Sequence, residues 1–140
     1  MTLSDFLNSL FGSKKPSQPA GASGQLYGVS FADSLVGTAV GYDQGGMTGL
    51  IVHTTDGGSS WHAQTSASAF ELDGVSFRDA NHGIAVGSVA TILQTTDGGD
   101  TWSKERISVT SHLYSAILID AKYGSVVGSN GIVLRLTSCQ

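Results

Sequence analysis

The side chains able to do chemistry in this sequence are few, and their spacing serves chemistry poorly. Histidines stand at 53, 62, 82 and 112. None has a second histidine or a cysteine at a metal-ligand interval, so they read as incidental strand and turn residues. The single cysteine, Cys139, can close no internal disulfide. The three arginines, Arg78, Arg106 and Arg135, fall in a turn, an outer strand and a third strand, and do not converge from equivalent inner-strand positions. Only two glutamates occur, Glu71 and Glu105, neither on an inner strand, so the flanking carboxylate pair of a glycosidase is not offered. The aspartates instead recur in register. Asp33, Asp79 and Asp120 each follow a strand, where capping of backbone N–H groups is the reading and a carboxylate site the lesser alternative. Asp56 and Asp97 recur inside a turn, with calcium as the minor alternative. No enzyme activity, cofactor or metal is expected.

That register comes from an internal repeat. Thr54-Thr55-Asp56-Gly57-Gly58-Ser59-Ser60-Trp61 returns as Thr95-Thr96-Asp97-Gly98-Gly99-Asp100-Thr101-Trp102, and Gly28-Val29-Ser30-Phe31 as Gly74-Val75-Ser76-Phe77. Gly37, Gly83 and Gly124 follow, then Gly41, Gly87 and Gly128. The third copy is degenerate at its start and stops where a third Asp-Gly-Gly segment is due, so the strand that carries its Trp is absent. Residues 42–49 are five longer than the matching loop of the second copy.

Each copy divides into short strands between turn residues, which in the second are Leu72–Phe77, Gly83–Gly87, Thr91–Thr95 and 102–106. Tyr27, Val29 and Phe31 alternate onto one face, as do Asp73, Val75 and Phe77. Gly28, Ser30, Gly74 and Ser76 occupy the other, small enough for a neighbouring sheet to come close. Four strands in about 40 residues, repeated, is the pattern of a β-propeller blade. The fold class expected is all-β, with three blade units in residues 26–140, the last incomplete.

The segments Thr54, Asp56, Gly58, Trp61 and Thr95, Asp97, Gly99, Trp102 resemble the Asp box of BNR-repeat proteins, and with their flanks they look most like the repeats of photosystem II assembly-factor-like proteins. The resemblance implies a hairpin turn in which Asp accepts backbone N–H bonds, Gly takes positive φ and Trp packs between blades. It also implies a propeller built for protein contacts with no cofactor. Sialidases share the box, yet their mechanism, as the resemblance implies it, needs converging arginines and a Tyr/Glu pair.

Before the repeats, residues 1–12 read as an amphipathic helix with Leu3, Phe6, Leu7, Leu10 and Phe11 on one stripe and Thr2/Asp5 as a capping box. The helix is expected to pack on the chain's own edge or a second copy, or to dock another protein. Residues 13–25, with Pro16 and Pro19, read as a flexible linker. Composition fits a chain with no nucleic-acid footprint: 19 glycines, 13% charged residues and a net charge of −4. Membrane-surface binding is a minor alternative, because the helix's polar face lacks basic residues. The start of the chain does not read as a secretory signal, so the cytoplasm is expected, with particle association as the other option.

The function expected is a non-catalytic protein-binding or assembly module. It would self-assemble, most simply as a dimer giving six blades, because sheet edges stay open at both ends. A partner is expected on the face that collects Tyr42, Asp43, Gln44 and Met47 with Phe70, Glu71 and His112. The runner-up is a structural component of a phage or other particle. A glycosidase-like enzyme or a lectin is the weakest reading.

Overall fold

The structure, a computed structural model, describes residues 2, 3, 5 and 24–137. Strands β1 (Gln25–Phe31), β2 (Gly37–Asp43), β3 (Thr48–Thr54) and β4 (His62–Gln64) form one antiparallel sheet in chain order. Strands β5 (Leu72–Phe77), β6 (Gly83–Gly87), β7 (Thr91–Thr95) and β8 (Ser103–Glu105) form a second. Strands β9 (Leu113–Leu118), β10 (Tyr123–Gly128) and β11 (Val133–Thr137) form a third, which has three strands among the described residues. Three repeats give three blade-like units. The outer strand of the second unit is shorter than its sequence pattern, starting after Trp102 and ending before Arg106. Strand β1 opens at Gln25, one residue before the expected domain start.

The small residues of the inner strands set how the units stack. A Cβ on Gly28 would lie 2.8 Å from the carbonyl oxygen of Asp73, and one on Gly74 would lie 2.9 Å from Cα of Ser115. The units therefore approach backbone to backbone. The hydroxyls two residues on complete the join: the Phe77 N–H donates to Ser30 Oγ at 3.0 Å, and the Leu118 N–H to Ser76 Oγ at 2.9 Å. Gly37 and Gly83 leave room for the Phe31 and Phe77 rings, which a Cβ would meet at 2.7 and 2.6 Å.

Between the first two units, Val40 and Ile51 pack against Val75, Phe77, Leu93 and Trp102. Between the second and third, Ile84, Val86 and Ile92 pack against Leu113 and Val126. Burying each such side chain contributes roughly 1.5–3 kcal/mol, so the stacking of sheets is a large favourable contribution to the fold. The two outermost faces are left uncovered among the described residues. On the first unit, Val29 and Phe31 are 61% and 44% exposed; on the third, Ile117, Val127 and Val133 are 55%, 41% and 67% exposed.

Each box segment closes a β3–β4-type turn with the same set of bonds. Thr54 Oγ1 and the Ser60 N–H both donate to Asp56 Oδ1, and Ser60 Oγ donates to Oδ2 at 2.6 Å. Thr95, Asp97 and Thr101 repeat the arrangement. The paired glycines take φ of +73° and +93° in the first turn and +73° and +95° in the second, values that glycine adopts at little cost. Each Trp then meets the inner-strand Phe edge to face, Trp61 on Phe31 at 6.0 Å and Trp102 on Phe77 at 5.9 Å. Trp102 is buried, whereas Trp61 is only half-buried, because no sheet covers the first unit's outer face among the described residues.

These bonds favour the charged carboxylate. The Ser60 hydroxyl and N–H, then the Thr54 hydroxyl, hold Asp56 down at about 2; Thr101 and Thr95 do the same for Asp97. With the unfolded value at 3.8, the folded state binds its protons later. The stabilisation is therefore complete above about pH 4 and is lost as pH falls towards 2. Acid unfolding followed by circular dichroism is expected to show that limb, and the Asp56→Asn/Asp97→Asn double variant to show a shallower one. A residual limb remains, because backbone N–H bonds also lower Asp33.

Asp33, Asp79 and Asp120 cap their turns: each Oδ1 accepts two backbone N–H groups, those of Leu35 and Val36, Asn81 and His82, and Lys122 and Tyr123. At the start of the chain, Thr2 and Asp5 exchange capping hydrogen bonds (Asp5 N–H to Thr2 Oγ1, 3.1 Å; Thr2 N–H to Asp5 Oδ2, 3.0 Å). Phe6, Leu7, Leu10 and Phe11 lie outside the described residues, as does most of the 13–25 segment.

Candidate functional site

The linkers between units and the β2–β3-type loops meet at one end of the sheets, and their backbones lock together. The Gly49 N–H donates to the Ser68 carbonyl, the Ser88 N–H to the Glu71 carbonyl and the Ser129 N–H to the His112 carbonyl. The longest of these loops follows β2. Met47 at its tip is 70% exposed, with φ of +55°. Tyr42 and Asp43 are half-buried at its base, where Asp43 Oδ1 accepts the Gly45 N–H, and Gln44 is exposed. Its return strand lies against the next linker: a Cβ on Gly49 would sit 2.8 Å from the Phe70 carbonyl oxygen.

Phe70 is exposed, with Lys104 Nζ 5.7 Å above its ring. Glu71 follows, and beyond it stands His112 from the next linker. The long loop and His112 thus flank the Phe70–Glu71 linker at successive points. Of the seven residues expected on this face, the structure brings Glu71 and His112 within 3.6 Å.

Two groupings were not legible in the sequence. Asp73 was expected to share a face with Val75 and Phe77. The β5–β6 register shifts between Leu72 and Gly74, a bulge that re-aims the intervening side chain. Asp73 Oδ2 lies 2.7 Å from His112 Nε2. The Tyr114 ring stacks on that imidazole at 4.7 Å, and Ser88 Oγ donates to Glu71 Oε1 at 2.8 Å. His112 therefore has two acidic neighbours, hidden in the sequence by a separation of 39 residues from Asp73. The loop beside them holds Val89 and Ala90 at φ of +54° and +52°, unfavourable for a β-branched residue; the matching residues of the third unit are Asn130 and Gly131, which accept positive φ readily.

The second grouping is a cleft to which the arginines contribute from positions that are not equivalent. Arg78, Arg106 and Arg135, from three different kinds of position, line one cleft of about 350 Å³ between the second and third units. His82, Gln94 and Glu105 share its walls, with Ile84, Ile92 and Leu118 as its apolar floor. Arg78 Nε lies 3.7 Å from Asp79 and is buried with no hydrogen-bond acceptor among the described residues. Side chains converging across an inter-sheet join cannot be found from strand positions within one unit.

The family described as photosynthesis system II assembly factor YCF48 matches residues 65–138, just over half of the chain. No curated protein sequence matches. Among solved structures, YCF48 bound to a D1 peptide superposes with a TM-score of 0.76 at 24% identity, over 87% of this chain and 40% of that one. YCF48 from Cyanidioschyzon merolae superposes at 0.69 with 22% identity, over 84% of this chain and 35% of that one. The chain thus spans about two fifths or less of the structures it resembles, and at these identities the likeness is one of fold.

Proposed function

Since the chain belongs to the photosynthesis system II assembly factor YCF48 family, we propose that it is a non-catalytic module that binds a protein segment and assembles through its open sheet faces. A YCF48 structure holds a D1 peptide, which makes an extended peptide the first partner to test. The observation that carries the reading is the large apolar side chains left outside the core: Val29 and Phe31 at one end of the stack, Ile117, Val127 and Val133 at the other. Apolar surface gathered in this way marks protein contact.

The partner segment is assigned to the loop end, across the 42–49 loop, Phe70, Glu71 and His112, where a rigid scaffold presents variable loops. Shortening residues 42–49 to three, the length of the matching loop in the second unit, removes the Tyr42–Gly49 and Asp43–Thr48 pairs at the end of the β2–β3 ladder and keeps the five pairs from Gly37–Thr54 to Gly41–Leu50. Fluorescence anisotropy of a labelled D1 peptide against the full chain is expected to show saturable binding, weakened about tenfold (1.4 kcal/mol) in the shortened variant. No binding by the parent chain rejects the peptide reading; equal binding by both moves the site off this loop.

The self-assembly component uses the outer faces. A second copy laid head to tail sets its Val29 face on the first copy's Val133 face, giving six units from two chains. The join differs from those inside the chain. Ile117 stands where Ser30 and Ser76 accept an N–H from the next unit, so the added sheet sits farther out on apolar contact alone. Among the described residues no helix is long and apolar enough to cross a membrane; a cytoplasmic location is part of the same proposal.

A further inference from the structure

Glu71, Asp73 and His112 offer one ligand atom each, all within 4.8 Å of one another. We propose that they form a site for a transition-metal dication of the zinc type, holding the linker that enters the second unit to the linker that enters the third. One imidazole and two carboxylates suit zinc and its neighbours. The same three donors fall well short of the six to eight oxygens that calcium takes.

The elements that carry the ligands are fixed by their own bonds. Glu71 is held by Ser88, whose N–H and Oγ donate to its carbonyl and its Oε1. The His112 N–H donates to Ser129 Oγ, and its carbonyl accepts the Ser129 N–H. Tyr114 stacks on the ring, and the β5 bulge aims Asp73. Such outer partners orient metal ligands and raise their affinity. The side chains are 21–35% exposed, so an ion reaches the site from solvent and keeps positions open for water or an incoming carboxylate.

The present spacing is that of a hydrogen bond, with His112 Nε2 2.7 Å from Asp73 and 3.6 Å from Glu71. Ligands about 2.1 Å from a tetrahedral zinc stand about 3.4 Å apart. Seating the ion therefore requires Asp73 to draw back by under 1 Å and Glu71 to swing towards it. The proton on Nε2 leaves to solvent as the metal takes its place.

The molecule contains its own comparison. His82 Nδ1 lies 2.9 Å from Asp79, a pair also within hydrogen-bond distance, with no third metal-ligating side chain grouped with it among the described residues. Calorimetric titration of the full chain with zinc chloride is expected to show one saturable site. His112→Ala and Asp73→Asn are expected to weaken it at least tenfold, Ser88→Ala about tenfold, and His82→Ala not at all. Glu71→Gln, which keeps the side-chain shape and the Ser88 hydrogen bond, serves as a further test and is expected to weaken binding as well. Circular dichroism on each variant establishes that it is folded. The proposal is overturned if the parent chain shows no saturable zinc binding, or if the binding survives unchanged in folded Asp73→Asn and Glu71→Gln, as it would for a site on Cys139 or the other histidines.

Discussion

Replacing Trp102 by alanine is expected to destabilise the chain by about 3–5 kcal/mol, a large share of the 5–15 kcal/mol that holds a typical domain together. The indole is buried between the first two units, edge-on to Phe77 and in one cluster with Val40, Ile51 and Leu93. Its removal leaves a cavity that rigid sheets cannot close. Trp102 Nε1 has no acceptor among the described residues, so Trp102→Phe forfeits no hydrogen bond and is expected to recover most of the loss. Trp61 is the contrasting case. It occupies the same place in its box and donates to the Gly58 carbonyl, but it is half-exposed on an outer face of the single chain, so at concentrations too low for assembly Trp61→Ala is expected to cost less. Urea denaturation of the three variants checks the order. Equal losses at Trp61 and Trp102 would mean that an assembled form buries both.

The second large effect is expected at Gly74. Any side chain there meets backbone on the opposing strand, Ser115 Cα at 2.9 Å and the Tyr114 carbonyl oxygen at 3.0 Å, and backbone cannot rotate away. Gly74→Val is expected to cost about 3 kcal/mol or more, at or above the upper end for overpacking. The loss is directional. Hydrogen exchange should show β9 to β11 losing protection while β1 to β3 keep theirs. Ser115→Val, at the equivalent position on the exposed face of the third unit, is expected to change stability by under about 0.5 kcal/mol. Uniform loss of protection in Gly74→Val would mean that the units do not separate independently.

Much of this architecture could be read from the residues, because it rests on period and repetition. Three strands of the second unit begin and end where the glycine and threonine boundaries put them, at Leu72–Phe77, Gly83–Gly87 and Thr91–Thr95. Gly28, Gly74, Ser30 and Ser76 announced a close inter-sheet join and form it. What escaped depends on events that period two cannot encode. A bulge at Asp73 breaks the alternation and sends its carboxylate to His112. The arginine cleft exists only once the second and third sheets are stacked, since no unit supplies more than part of it. Counting loops puts Glu71 and His112 on one face; their 3.6 Å approach accompanies the pinning of both linkers by Ser88 and Ser129.

On the proposed function, a stack of three sheets with apolar outer faces acts by placing those faces against other protein. Light scattering coupled to size exclusion, run on the intact chain over a range of micromolar concentrations, measures this directly. A mass at least twice the 14.4 kDa of one chain is predicted, falling towards one chain in Val133→Lys, which sets a charge on the exposed face of β11. A parent chain that stays at 14.4 kDa throughout, with its outer faces bare, would contradict it.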